Sequence, residues 1–335
     1  MGGSFYVPHG LIEPWSNNGL GYNSMRASLI REMQNLGWEY RDRDSNTMLH
    51  MCAPTFFRAI PDRKNVLFTM WEAIELPQVY ALNLRNADLI VTPSRYCAQI
   101  FRRYVDVPIA VVPLGVDPSM FPYHERSFGQ PFRFFWFGAC NPRKGWEHVI
   151  EVWDTAFRRL GPAYELYLKT NMDDIEVMRE GNVILDGRRL DAARILELYH
   201  SAHVFLLPHA GEGWGLTLHE AMSTGLPCIT TRTGGVLDFA DEDTAVFLNW
   251  RLANRSWGLE GDSDSRFETV TVWPEPQSLA SAMEVVVKDY DKALVMGKRA
   301  SQRAQSFTWR ASAEKLSQVI AGFQAGDVRV ASAAP

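Results

Sequence analysis

The chain has 335 residues, 46% of them hydrophobic and 22% charged, with a formal net charge of −5. That length suffices for two domains that each bury a core, and the acidic balance excludes a whole surface made for non-specific nucleic-acid binding, though not a local basic groove. No apolar run approaches a membrane span, and the opening Met-Gly-Gly-Ser-Phe-Tyr has neither a signal-peptide core nor a myristoylation pattern, so a cytoplasmic location is expected. Cys52, Cys97, Cys140 and Cys228 lie far apart without metal-ligand spacing and read as buried, reduced thiols.

Phe5-Tyr6-Val7 reads as a first strand, followed by a loop containing Gly19 and Gly21. Met25, Leu29, Met33 and Leu36 share one helical face, which predicts a helix over about 22–36 with Gly37 as its stop. Apolar strands at 47–51, 65–70, 87–92 and 109–112 alternate with helix-length segments. That pattern predicts a parallel sheet covered on both faces, with Trp71 and Glu72 just past the second of these strands. Residues 120–131 hold Gly129, Pro122, Pro131 and several charges without periodicity and read as an interdomain linker.

A second alternation begins with a strand at 132–138 and a helix over 145–159 whose buried side carries Trp146, Val149, Ile150, Trp153 and Phe157. Strands at 164–168 and 183–185, a helix at 191–200 and a strand at 203–207 follow. Next comes Pro208-His-Ala-Gly-Glu-Gly-Trp-Gly-Leu-Thr-Leu-His-Glu-Ala-Met, a glycine-rich turn that opens a helix ended by Gly225, and then a strand at 226–231 closed by Gly234-Gly235. The aperiodic stretch 251–276, which includes Gly261-Asp262-Ser263-Asp264-Ser265, reads as a long loop or flap. A helix over 279–290 and a last helix capped near Ser306-Phe307-Thr308-Trp309 complete the chain, and 324–335 is expected to be a disordered tail.

Glycines let backbone approach a ligand, and the amides that open a helix suit a diphosphate, so the neighbouring carboxylates Glu212 and Glu220 suit sugar hydroxyls better than phosphate. Basic Arg143 and Lys144, at the carboxyl end of a strand and the start of a helix, are placed for the diphosphate. His200 and His203 have no further ligand at useful spacing and read as packed side chains rather than a metal site.

The string Glu-Gly-Trp-Gly-Leu, then Glu-Ala-Met, Gly-Leu-Pro and Gly-Gly, with seven residues between the two glutamates, closely resembles the donor-site signature of the retaining GT-B glycosyltransferases of family 4. The resemblance extends to Gly138 followed by Lys144-Gly145, to the loop Asp186-Gly187-Arg188-Arg189-Leu190 and to Pro113-Leu114-Gly115-Val116-Asp117. It implies two Rossmann-like α/β domains with parallel sheets facing a cleft. The acceptor-side domain would be 1–122, the nucleotide-sugar domain 123–305, and 306–323 a helix crossing back to the first.

The implied activity is metal-independent, retaining transfer of a hexose from a UDP-glucose or GDP-mannose type donor to a hydroxyl acceptor, with no cofactor beyond that co-substrate. Glu212, Lys144 and Glu72 would be the catalytic residues. Gly19, Gly21, Gly138, Arg143, Lys144, Arg188, Leu190, Gly213, Trp214, Gly215, Leu216, Thr217 and Glu220 would line the donor site. Two departures stand out: Ala139 replaces the arginine that commonly follows the glycine, leaving Arg143 to substitute, and Trp71-Glu72 stands where relatives carry a histidine. The acceptor stays open between a glycan, a lipid-linked glycan met at a membrane surface, a small alcohol and a hydroxymethylated base of viral DNA. A sugar phosphorylase, a 2-epimerase and a non-catalytic sugar-nucleotide sensor are the rival readings.

Overall fold

Short runs of aliphatic and aromatic residues, too apolar to leave either face in water, form the centre of each half of the chain. The computed structural model describes residues 3–7, 20–40, 44–172, 175–257 and 267–326. It begins with β1 (Ser4–Phe5), α1 (Leu20–Asn35) and β2 (Glu39–Tyr40). There follow β3 (Thr47–Met51), β4 (Lys64–Phe68), α2 (Gln78–Leu84), β5 (Leu89–Thr92), α3 (Arg95–Arg102) and β6 (Ile109–Val111). Strands β3 to β6 form a parallel sheet in chain order, and a bridge between Tyr6 and Met48 ties the β1–β2 pair to it.

The second half runs β7 (Phe132–Phe137), α4 (Trp146–Val152), β8 (Tyr164–Lys169), β9 (Val177–Glu180), β10 (Val183–Asp186), α5 (Ala192–Ser201), β11 (Val204–Leu207), α6 (Leu216–Ser223), β12 (Cys228–Thr231) and β13 (Val246–Leu248). Its sheet has the order β13-β12-β11-β7-β8-β10-β9, with only β9 antiparallel. Phe134 meets Trp153 and Phe157 edge-on at ring-centroid distances of 5.9 and 5.3 Å. Such pairs add about 0.5–1.5 kcal/mol each beyond the area they bury. After β13 come β14 (Trp250–Trp257), β15 (Phe267–Pro274), α7 (Pro276–Lys288), α8 (Tyr290–Ala304) and α9 (Trp309–Ala325).

The linker is pinned to the second half through Arg126, whose guanidinium donates to the Thr224 carbonyl at 2.5 Å, to Thr224 Oγ1 at 3.0 Å and to the Tyr199 carbonyl at 3.1 Å. The chain then returns. Val116 N donates to Phe307 O at 2.9 Å, and α9 packs on α1 through Leu316 and Ile320 against the buried face of Met25, Leu29 and Met33.

Several expectations change. Within the stretch read as a flap, β14 and β15 pair antiparallel: Thr269 and Thr271 are buried on one side, but exposed charges on β14 hide the matching alternation. The helix expected over 145–159 is α-helical only to Val152 and continues as a π-helical turn, Trp153–Phe157. Helix α8, whose buried positions are mostly small residues (Ala293, Gly297, Ala300, Ser301 and Ala304), escaped the hydrophobic reading altogether. Residues 324–326 are ordered rather than tail, since Gln324 Nε2 donates to Thr47 Oγ1 at 2.7 Å. Cys140 is exposed, unlike the other three cysteines. Gly19, the Asp173-Asp174 pair and residues 261–265 and 327–335 lie outside the described residues.

Candidate functional site

The site is built by two loops at the carboxyl ends of β7 and β11, where ligands bind in open parallel sheets. After β7, the Asn141 side chain accepts from Arg143 N at 2.9 Å and fixes the tight turn Pro142–Lys144. Gly145, at φ 73°, follows; a Cβ there would lie 1.9 Å from the Pro208 carbonyl, so only glycine lets the loops meet. Ala210 N donates to Arg143 O at 2.7 Å, Arg143 Nη1 to Gly211 O at 2.8 Å, and Trp136 Nε1 to Lys144 O at 3.0 Å. These bonds zip the loops together and aim two cations at one carboxylate.

That carboxylate is Glu212, which is 5% exposed. Lys144 Nζ lies 2.6 Å and Arg143 Nη1 3.3 Å from its Oε1. Burial alone would push the Glu212 carboxyl up, but Lys144, then Arg143, outweigh it and hold the pKa at about 2. From the other domain Glu72 presents Oε1 at 3.9 Å from Arg143 Nη2. The halves also touch where a Cβ on Gly213 would crowd Met70 at 2.8 Å, and where Arg95 N donates to Asp238 Oδ2 at 3.0 Å.

Gly215, at φ 99°, opens α6, and Leu216 and Thr217 form its first turn, partly buried. Glu220 lies one turn further along, partly buried, with Tyr199 OH donating to its Oε2 at 2.9 Å. Here burial wins: it raises the Glu220 pKa to about 7, opposed only by the Tyr199 bond. The two glutamates thus differ in charge state near neutral pH, because one has cations beside it and the other only a hydroxyl.

A further polar cluster closes the β8 and β10 ends. Asp186, fully buried, accepts from Tyr167 OH at 2.7 Å and from Arg188 Nη2 at 2.8 Å. Lys169, also fully buried, donates to the carbonyls of Thr170 and Arg188 and to Asn171 Oδ1 at 3.2 Å; burial lowers its pKa to about 8. Gly138 N donates to Lys169 O at 3.1 Å, which places Gly138 between this cluster and Lys144.

The structure therefore brings together Glu72, Gly138, Arg143, Lys144, Glu212, Gly213 and Gly215, with Leu216, Thr217 and Glu220 following along α6 and Arg188 paired with Asp186 on the flank. One expected donor contact is corrected, and two other expected residues stand apart from the cluster. Trp214 is 1% exposed and donates Nε1 to His219 Nδ1 at 3.2 Å within a packed nest with Phe239 and Phe307, so it supports the loop from behind. Gly21 lies inside the first turn of α1, and among the described residues nothing lies within 4 Å of a Cβ built on it. Leu190 packs against the core.

Sequence reasoning missed Lys169 and Tyr199, and quoted Asp186 only as the first residue of a loop. The signal for Lys169 was a lysine closing an apolar strand. His209, quoted but given no role, is fully buried between the loops. Among the described residues no trio of His, Cys, Asp or Glu is arranged to hold a metal ion.

Comparison with known proteins agrees with this geometry. Residues 131–252 match the family model described as glycosyl transferases group 1, a span that contains both site loops. The sulfoquinovosyl transferase of Arabidopsis thaliana is 26% identical over 176 residues, 52% of this chain and 31% of that one. The curated relatives it matches first are spanned over less than a third of their length. Among solved structures, a sucrose-phosphate synthase from Thermosynechococcus elongatus superposes with a TM-score of 0.72 at 15% identity, covering 97% of this chain and all of that one. Anabaena HepE in complex with UDP and glucose superposes with 0.67 at 12% identity over 96% of this chain and all of that one. The fold is the GT-B arrangement of two Rossmann-like domains, and its second half holds the stretch that matches the glycosyl transferases group 1 model.

Proposed function

We propose that this chain is a retaining hexosyltransferase that moves the sugar of a nucleoside diphosphate hexose, UDP-glucose in first place, onto a hydroxyl acceptor. The observation that carries the reading is the cross-domain cluster in which Lys144 and Arg143 converge on buried Glu212 with Glu72 facing them. A diphosphate is the ligand chemistry best suited to two adjacent cations beside a tight backbone turn. The UDP and glucose held by Anabaena HepE, and a fold shared over nearly the whole chain, support the choice of donor class.

In this reading Lys144 and Arg143 stabilise the charge that develops on the departing diphosphate, a task that needs prearranged cations rather than a protein nucleophile or a metal. Glu212 hydrogen-bonds hydroxyls of the hexose and strengthens that bond as the ring becomes cationic. Glu220 takes ribose hydroxyls from α6, the cluster of Asp186, Lys169 and Arg188 borders the nucleobase, and Glu72 orients the acceptor. A donor phosphate oxygen takes the acceptor's proton on the same face. GDP-mannose is the second donor to try, and a glycan or small polyol the first acceptor class.

A thermal-shift panel of nucleotide sugars, followed by release of nucleoside diphosphate from the best of them, tests the proposal, because a ligand bound only by the native state raises its melting temperature. No shift with any member would refute the donor site. Formation of sugar 1-phosphate from a glycoside and added inorganic phosphate, with no nucleoside diphosphate released from any donor, would identify a phosphorylase.

A further inference from the structure

His209 is fully buried in the loop after β11, and neither ring nitrogen has a hydrogen-bond partner among the described residues. Buried polar atoms are normally paired, and leaving them unpaired is destabilising. The charged groups around the ring are Glu212 on its own loop, and Lys144 and Arg143 on the loop after β7. Burial lowers the imidazole pKa to about 4, with Glu212 pulling it up and the two cations pushing it down, so the ring is neutral at pH 7 and carries one N–H. Without ligand, Glu212 is satisfied by Lys144 at 2.6 Å while His209 has nothing. Drawing Lys144 onto a diphosphate would reverse that imbalance.

We infer that His209 is a positioning residue for Glu212. When the donor diphosphate takes Lys144 and Arg143, a ring N–H of His209 donates to the Glu212 carboxylate and holds it, still ionised, against the sugar. The inference rests on the donor site proposed above.

His209→Phe fills the space without a donor, whereas His209→Asn and His209→Gln return an amide N–H at about the places of Nδ1 and Nε2. With UDP-glucose, initial rates of UDP release should give a kcat at least tenfold lower in His209→Phe, a donor KM within threefold of the parent, and recovery of most of the loss in one amide variant. The ligand-free melting temperature of His209→Phe should not fall, because two unpaired buried polar atoms are removed. A Phe variant turning over within twofold of the parent, or amide variants no faster than it, would overturn the inference. Should the Phe variant not fold, histidine ring ¹⁵N NMR on the parent decides: the His209 signal, assigned from His209→Asn, should move when UDP saturates the protein, and an unmoved signal would overturn the inference. Failure of UDP and UDP-glucose to shift the parent's own melting temperature would instead refute the donor site.

Discussion

Replacing Glu212 by Gln should tighten the protein's hold on a free nucleoside diphosphate while slowing sugar transfer. Lys144 Nζ and Arg143 Nη1 lie 2.6 and 3.3 Å from Glu212 Oε1, so an incoming diphosphate competes with Glu212 for both cations. The balance of burial against those cations moves the carboxyl from 4.5 to about 2. At about 1.4 kcal/mol per pKa unit this is on the order of 3 kcal/mol in favour of the ionised, paired form. Gln keeps the shape and one acceptor oxygen but removes the competing charge. Desolvation of the freed cations cancels part of the gain, so the Kd for UDP should fall about tenfold, with roughly a hundredfold as the ceiling. Turnover of UDP-glucose should drop about a hundredfold, since the anion facing the cationic sugar is gone. Stability follows the same linkage. The folded-state pKa is depressed, so the pair contributes fully above about pH 4.5, and its contribution is lost as pH falls towards 2. The parent should therefore lose more melting temperature than the variant over that interval. Titration calorimetry with UDP at fixed ionic strength, with circular dichroism as the folding control, is the assay. An unchanged or weaker Kd in a folded variant would refute the competition.

Lys144→Ala should lower turnover at least tenfold without loss of the fold, read from initial rates and melting temperature together; equal activity would remove Lys144 from the site. Activity should survive excess EDTA, and loss on chelation restored by Mn²⁺ would refute the metal-free mechanism. Burial raises the Glu220 pKa to about 7, so the donor KM should rise as pH falls through neutrality and stay flat in Glu220→Gln; parallel profiles would separate Glu220 from the ribose. Gly145→Ala places a Cβ 1.9 Å from the Pro208 carbonyl at a φ of 73°. Overpacking of this kind costs about 1–3 kcal/mol, so a melting temperature several degrees lower is expected, and an unchanged one would show that the loops can part without cost.

The doubly wound halves were legible because buried parallel strands are continuous apolar words, and the pairing of Glu212 and Glu220 with a glycine turn marked the site. What the chain hides is partnership. Nothing local in Arg143-Lys144 says that both cations close on Glu212, more than sixty residues later, or that Glu72 reaches them from the other domain. Trp214 looked like a ligand-facing aromatic because the motif places it between two site glycines, yet its indole N–H is committed to His219. The pairing of β14 with β15 was missed because the polar run Asn254-Arg255-Ser256 breaks the alternation of β14. Glu220 shows the same limit in electrostatics: burial raises its pKa because no cation stands beside it to offset the burial, as two do at Glu212.

The clasp of α9 on α1 sets an order of events during synthesis. Met25, Leu29 and Met33 leave the ribosome long before Leu316 and Ile320, which cover them. Lys64 and Thr47 likewise wait for Phe323 and Gln324. The second domain, contiguous in sequence, can complete its core while the first still shows an apolar stripe to water or to a chaperone. The domain made first is therefore finished last, and a ribosome stalled before α9 would release a chain whose nucleotide-sugar half is folded and whose opening half is prone to aggregate.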